Sequence, residues 1–243
     1  MLGNEICYRM KMYRVNEIFY SLQGEGRNAG RAAVFVRFAG CNLRCSFCDT
    51  EFDSYIEMTV NDILSEIASV SGDFPAGSKP LVVLTGGEPT LQVDEAFVDQ
   101  LHSQGYEVAM ESNGTLPAPS NLDWLTVSPK SLPLAPSNWR GRMPDELKVV
   151  FDENTNPETY LSPLTTPADA PIPDLWSPTR SLSHPLSHPL QSEGAGGRLL
   201  YLQPCDTGDA KRNKAIVQAC VDYIKEHPEW RLSLQIHKII DIK

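Results

Sequence analysis

The sequence predicts an α/β fold: a parallel sheet, helices between its strands, and a site along the C-terminal ends of those strands. Two observations predict it. Short β-rich runs alternate with helix-period runs along the chain, and each β-run ends in a polar or turn-rich loop. That is how a parallel sheet gathers a site on one rim. One run, Leu81-Val-Val-Leu84, is apolar without interruption, the pattern of a strand buried on both faces.

Composition bounds the rest. The chain has 243 residues, 41% of them hydrophobic, which suits one globular domain with a sizeable core. The net charge is −10 and the pI about 5.0, with no basic cluster, so a nucleic-acid partner is not expected. No apolar run approaches a membrane span, and the first twelve residues lack the apolar stretch of a secretory signal, so no membrane association is expected. Met1 to Met12 reads as an extension ahead of a domain spanning 13–243. Six cysteines in a chain of this size and core content do not suggest a disulfide framework, and three of them cluster; a reducing cytoplasm is expected.

The elements follow in order. Tyr13 to Tyr20 leads into Ser21-Leu-Gln-Gly-Glu-Gly26, where two glycines flank a carboxylate and let the backbone approach a ligand closely; the same segment reads equally as a solvated turn. Ala33-Val-Phe-Val-Arg-Phe38 reads as the first strand. Arg37, near its end, offers a guanidinium fork suited to a carboxylate. Gly40 turns the chain into Cys41-Asn-Leu-Arg-Cys45-Ser-Phe-Cys48, and Asp49 and Thr50 close that loop.

Three thiolates on one short loop can hold three irons of a [4Fe–4S] cube and leave the fourth iron open to a small molecule. Ferredoxin-type ligation uses four cysteines, and structural zinc usually takes four ligands. A zinc knuckle that borrows a His or Asp, or three unconnected thiols, are the other readings of the residues. Cys7, Cys205 and Cys220 read as unliganded.

Thr59 to Val70 reads as a helix, with Thr59 as N-cap and Val60, Ile63, Leu64 and Ile67 on one face. Thr85-Gly-Gly-Glu-Pro89 follows Leu84 directly; adjacent glycines free the backbone to bond a ligand, and Glu88 places an anion beside them. Val93 to His102 is a second helix, stopped by Gly105. Strands are predicted at Tyr106–Met110, ending in Glu111-Ser-Asn-Gly-Thr115; at Trp124–Val127, ending in Ser128-Pro-Lys130; and at Glu146–Phe151. From Pro157 to Gly197 the composition shifts to proline and serine, with a tandem Ser-His-Pro-Leu, and a flexible surface insertion is expected there. Its His184 and His188 read as solvated repeat residues rather than a metal pair. Arg198–Leu202 resumes the sheet and runs into Gln203-Pro-Cys-Asp206. Ala210 to Lys225 is a helix with Ile216, Val217, Cys220, Val221 and Ile224 inward, and Trp230 to Ile236 a last strand.

The cysteine spacing followed by Thr85-Gly-Gly-Glu-Pro89 resembles the radical S-adenosylmethionine (SAM) superfamily. The phrase Ile18-Phe-Tyr-Ser-Leu-Gln-Gly-Glu-Gly26, with Asp49 and Thr50 after the cysteines, resembles the 7-carboxy-7-deazaguanine synthases within it. The resemblance covers Tyr13 to about Pro163 and Arg198 to Ile242. It implies an incomplete (β/α) barrel of about six parallel strands, the radical SAM type, and a homodimer. It assigns Cys41, Cys45 and Cys48 to the cluster and Thr50 to Mg²⁺. It assigns Leu22, Gln23, Gly24, Arg37 and Thr85 to the substrate. SAM falls to Phe47, Cys48, Asp49, Gly87, Glu88, Ser128, Pro129, Lys130, Gln203, Pro204, Cys205 and Asp206. The family often ends in proline near the substrate; Lys243 stands there instead, and that contact is not carried over.

The implied activity is a carbon–nitrogen lyase reaction: ring contraction of 6-carboxy-5,6,7,8-tetrahydropterin to 7-carboxy-7-deazaguanine with loss of ammonia, in 7-deazapurine and queuosine biosynthesis. It needs SAM, a [4Fe–4S] cluster, Mg²⁺ and an external, flavodoxin-like electron donor. A glycyl-radical-enzyme activase shares the cysteine spacing, but the Leu22-Gln-Gly24 phrase speaks against it. A non-enzymatic zinc-binding protein is opposed by Thr85-Gly-Gly-Glu-Pro89.

Overall fold

The computed structural model describes residues 11–48, 50, 51, 53–74, 78–130, 139, 142–161 and 198–243. Most of the proline-rich insertion, the first ten residues, Cys7 and Asp49 lie outside them. The described strands are β1 (Tyr13–Leu22), β2 (Ala32–Phe38), β3 (Ile56–Met58), β4 (Leu81–Gly86), β5 (Val108–Ser112), β6 (Trp124–Val127), β7 (Glu146–Phe151), β8 (Leu199–Pro204) and β9 (Trp230–Leu232). They form one sheet in the order β3-β1-β2-β4-β5-β6-β7-β8-β9. From β2 to β9 every pairing is parallel, whereas β1 is antiparallel to both β2 and β3. The order runs from one edge strand to another, so the barrel is open, as expected.

Differences from the sequence reading have local causes. Ala33–Phe38 is the second strand, because Tyr13–Leu22 pairs with it along its length. The strand expected at Tyr106 starts at Val108, where the Val108 N–H donates to Asp123 (2.8 Å), and continues through Glu111 and Ser112 on β6. The last strand is three residues long. After it the Ile236 N–H donates to the Gly24 carbonyl (3.1 Å) and the chain turns into a short helix. Residues 157–160, at the expected start of the insertion, form a 3₁₀ turn with Pro157 buried.

The helices α1 (Val60–Ser71), α2 (Glu95–Ser103) and α3 (Ala210–Glu226) are each capped by an oxygen side chain. Thr59 and Asp62 form a reciprocal capping box on α1, with Asp62 N–H donating to Thr59 Oγ1 (3.2 Å) and Thr59 N–H to Asp62 Oδ2 (2.8 Å). Asp94 caps α2 through the Phe97 N–H, so that helix begins two residues later than Val93. A fourth helix, α4 (Ile236–Ile239), lies near the chain end. No described helix is long and apolar enough to cross a membrane.

Alternation along the parallel strands divides the molecule into two faces. Val34, Val36 and Phe38 of β2, Val82 and Leu84 of β4, Leu147 and Val149 of β7, and Leu200 and Leu202 of β8 join the main core. The inward residues Ile63 and Ile67 of α1, Phe97, Val98 and Leu101 of α2, and Ile216 and Cys220 of α3 belong to the same core. Val217 is 37% exposed and not inward as the helical periodicity had suggested. The opposite face has only a small apolar floor of Ala33, Leu81, Val83 and Ala109, bordered by Phe35 and Trp124. Above that floor the same face turns polar.

Candidate active site at the cysteine loop

A cavity of about 600 Å³ opens at the C-terminal ends of the parallel strands. Its lining includes Cys41, Cys45, Phe47, Cys48, Thr50, Leu22, Gln23, Gly24, Arg37, Thr85 and Gly87. Ser128, Lys130, Gln203, Pro204, Cys205 and Asp206 line it too. Residues spread over nearly the whole chain thus reach one space, because each parallel strand delivers its end to the same rim.

The glycine pair locks β4 to the cysteine loop. Gly87 N–H donates to the Phe38 carbonyl and Glu88 N–H to the Gly40 carbonyl, both at 2.9 Å. A Cβ on Gly87 would overlap the Gly40 carbonyl oxygen. Gly40 itself sits at φ 85°, which aims the chain out of β2 into the loop.

The three cysteines face the cavity from that loop. Burial pushes the Cys45 thiol up, and the neighbouring Cys48 and Cys41 push it further while Lys130 opposes them. A cationic metal group would favour the thiolate form that burial and the neighbouring sulfurs oppose at Cys45. The Leu43 N–H points at Cys41 Sγ (3.4 Å). Cys205 also faces the cavity, from the end of β8, and Cys220 is fully buried in the core with its thiol pushed up to about 12 by burial.

Two residues assigned to SAM do not line the cavity. Glu88 is fully buried. Its Oε1 accepts from Thr90 N–H (3.1 Å), Thr90 Oγ1 (2.6 Å) and Ser112 Oγ (2.8 Å), and its Oε2 from Asn113 N–H (2.7 Å). That carboxylate is spent on pinning the turn after β4 to the end of β5. Pro129 likewise stays out of the lining while Ser128 and Lys130 on either side enter it. The Lys130 ammonium donates to Ser128 Oγ (2.7 Å) and lies 5.8 Å from the Phe47 ring centroid. Burial lowers its pKa, and Lys148 nearby adds to the effect. Asp49 is outside the described residues. Thr50 caps no helix; the next element is strand β3.

The inner face carries a network whose charged members, Glu25, Glu111, Glu146 and Lys148, were not assigned to the site from the sequence. Lys148, on β7, is almost wholly buried and pairs with Glu25 and with Glu111 (3.2 Å). Glu111 Oε1 accepts from Gln23 Nε2 (2.8 Å), and Glu25 Oε1 from Gln235 Nε2 (3.2 Å). Burial opposes ionisation of Glu25, yet Lys148 and these donors hold its carboxyl below the ordinary range. Burial likewise opposes charge on Lys148, and Glu111, Glu25 and Glu146 together raise its pKa. Glu146, two residues before Lys148 on the same face, is pushed up to about 7 by burial. Its Oε2 accepts from the Arg27 N–H (2.9 Å), and it occupies the space where a Gly26 side chain would be. Two charges at i and i+2 in an otherwise apolar parallel strand were the available signal. A strand buried on both faces keeps such a pair only where the inner face meets a polar site.

At the other side of the cavity Arg37 and Glu17 are cross-strand partners in β1 and β2, with Arg37 Nε 3.0 Å from Glu17 Oε1. Phe19 and Phe35 stack beside them, centroids 4.9 Å apart.

The Radical SAM superfamily profile matches residues 35–133. The 7-carboxy-7-deazaguanine synthase of Bacteroides thetaiotaomicron is 41% identical over 233 residues, covering 96% of this chain and 100% of that one. The proteins of the same name from Bradyrhizobium diazoefficiens and Nitratidesulfovibrio vulgaris are 37% and 39% identical, each over 95% of this chain and 99% of theirs. Among solved structures, that of QueE from Escherichia coli superposes with a TM-score of 0.66 over 93% of this chain and 95% of the other; at 24% identity it shows the shared fold. The chain belongs to the 7-carboxy-7-deazaguanine synthase family of the radical SAM superfamily.

Proposed function

We propose that the protein converts 6-carboxy-5,6,7,8-tetrahydropterin to 7-carboxy-7-deazaguanine and ammonia, a carbon–nitrogen lyase step in queuosine and other 7-deazapurine biosynthesis. The observation that carries this reading is the polarity of the cavity next to the cysteine loop: a cation, Arg37, on one wall, and the carboxylates Glu25 and Glu111 with Gln23 on another. A carboxylated heterobicycle rich in N–H donors has that charge pattern in reverse.

Cys41, Cys45 and Cys48 would hold a [4Fe–4S] cluster, which together with SAM supplies the radical that starts the reaction. The chain's own residues do the rest of the work by position. Gly87, Ser128, Lys130 and the Gln203–Asp206 segment surround the space beside the cysteines, where SAM is expected. Lys130, whose charge favours the Cys45 thiolate, offsets the charge of the thiols. Arg37 fits the substrate carboxylate with a planar fork, and Thr85, its cross-strand partner on β4, lies beside it. The Glu25–Lys148–Glu111 network holds the Gln23 side chain in place: its amide donates to Glu111 and its oxygen accepts from the Glu25 N–H.

Mg²⁺ binding at Thr50, completed by substrate oxygens and water, belongs to this reading; the residue lines the cavity and no helix claims its hydroxyl. So do a homodimeric assembly, a flavodoxin-like electron donor and a cytoplasmic setting. The deciding experiment adds the carboxypterin and SAM to anaerobically reconstituted, reduced protein and seeks the deazapurine by mass. SAM cleavage without that product would overturn the substrate; no cleavage at all would overturn the radical chemistry.

A further inference from the structure

Arg37 is not the lone cation on its wall of the cavity. The Lys243 ammonium pairs with the second oxygen of Glu17, the carboxylate whose first oxygen lies 3.0 Å from Arg37 Nε. Both cations rest on the Phe19 ring, with the Arg37 carbon 5.4 Å and the Lys243 nitrogen 4.7 Å from its centroid. The Lys243 backbone is held in place by Ser21, whose Oγ donates to the Lys243 main-chain oxygen (2.6 Å). Arg37, Lys243, Phe19 and Phe35 line the cavity, and Glu17 does not.

Two side-chain cations therefore share one side-chain carboxylate that stands behind them. Arg37 Nε is buried and, despite its distance from Glu17, makes no hydrogen bond of acceptable geometry. Among the described residues the guanidinium has no other partner than Glu17 and the Phe19 ring, so its donors towards the cavity are uncommitted. An aromatic platform beneath two cations with unspent donors is built to receive an anion.

We propose that Lys243 is a specificity-determining residue: with Arg37 it forms a two-cation receptor for the substrate carboxylate, and Glu17 holds the pair in place until that carboxylate arrives. This rests on the function proposed above. Arg37 supplies the directional fork and Lys243 a mobile point charge that follows the carboxylate. The receptor would select a carboxylated pterin over the same ring system without the carboxylate.

The test is equilibrium binding of two fluorescent probes, 6-carboxypterin and pterin, to cluster-loaded, SAM-bound protein. In wild type the carboxylated probe should bind more tightly. Lys243→Met should cut that preference about three- to fivefold at low ionic strength, the size expected for a partly exposed charge, and weaken its salt dependence. Lys243→Arg should retain the preference, and affinity for plain pterin should be the same in all three. An unchanged preference in Lys243→Met, or an equal loss for both probes, overturns the role of Lys243 while leaving the reaction intact. A wild type that does not distinguish the two probes overturns the substrate assignment, and this inference with it.

Discussion

Glu25 and Lys148 are 123 residues apart in the chain and form an ion pair under the cavity, with the ammonium side chain only 4% exposed. The pair ties the glycine-rich segment after β1 to the middle of the parallel sheet. Breaking one partner of such a pair strands a buried charge. Lys148→Met should therefore cost about 3–5 kcal/mol of stability. Adding Glu25→Gln to that variant should recover part of the loss, because the stranded carboxylate is then neutral. Denaturant unfolding of wild type, Lys148→Met, Glu25→Gln and the double variant under anaerobic conditions gives the coupling directly; a Lys148→Met loss below about 1 kcal/mol would show that the pair is not buried in solution.

Glu146 should make the protein less stable as pH rises. Its folded pKa, about 7, lies above that of the unfolded chain. Between those values the folded state binds the extra proton, so stability falls as pH rises through that window and is level above it. A shift of this size corresponds to roughly 3 kcal/mol at most. Glu146→Gln keeps an acceptor for the Arg27 N–H and removes the charge. It should stabilise the protein at pH 8 and have little effect at pH 4.5. Unfolding midpoints for both proteins across that range are the measurement, and parallel curves would refute the shift.

Iron content should separate the cysteines by place. Cys45→Ala should fail to reconstitute a four-iron cluster and fail to cleave SAM, since it removes one of three thiols on the same loop. Cys205→Ser, on another strand end, and Cys220→Ala, in the core, should both retain four irons. A four-iron, SAM-cleaving Cys45→Ala protein would overturn the ligand set.

Thr50→Ala should change the response to Mg²⁺ and leave stability nearly untouched. The hydroxyl caps no helix, so the roughly 1 kcal/mol usual for losing an N-cap is not at stake. A threonine oxygen holds a hard cation only when other oxygens complete the shell at about 2.0–2.1 Å, so Mg²⁺ and the pterin should each tighten the other's binding. Turnover of both proteins across a Mg²⁺ titration decides it, and an identical response would exclude Thr50 from the metal site.

Much of this was legible in the sequence, for identifiable reasons. The cysteine loop and the glycine pair sit where strands end, and short-range spacing reveals them. Helix boundaries followed from Thr59, Gly105 and the apolar spacing of Ile63 and Ile67. The antiparallel β1 escaped notice because four of its ten residues are polar and its partner, β2, lies beyond a glycine-rich turn. The partners of the Glu88 carboxylate were not legible, because Ser112 and Asn113 come from the end of the next strand. The Glu25–Lys148–Glu111 network depends on three segments meeting across the sheet, which no local pattern encodes.

The alternation within β2 has a consequence for how the chain can change over time. Val34, Val36 and Phe38 serve the core, while Phe35 and Arg37 serve the cavity, in strict turn. Deleting or adding one residue inside this strand would send Arg37 under the helices and a valine or Phe38 into the cavity. Substitution can therefore tune either face alone, since neighbours in sequence answer to different demands. A change in length cannot, because one step exchanges the duties of every residue after it.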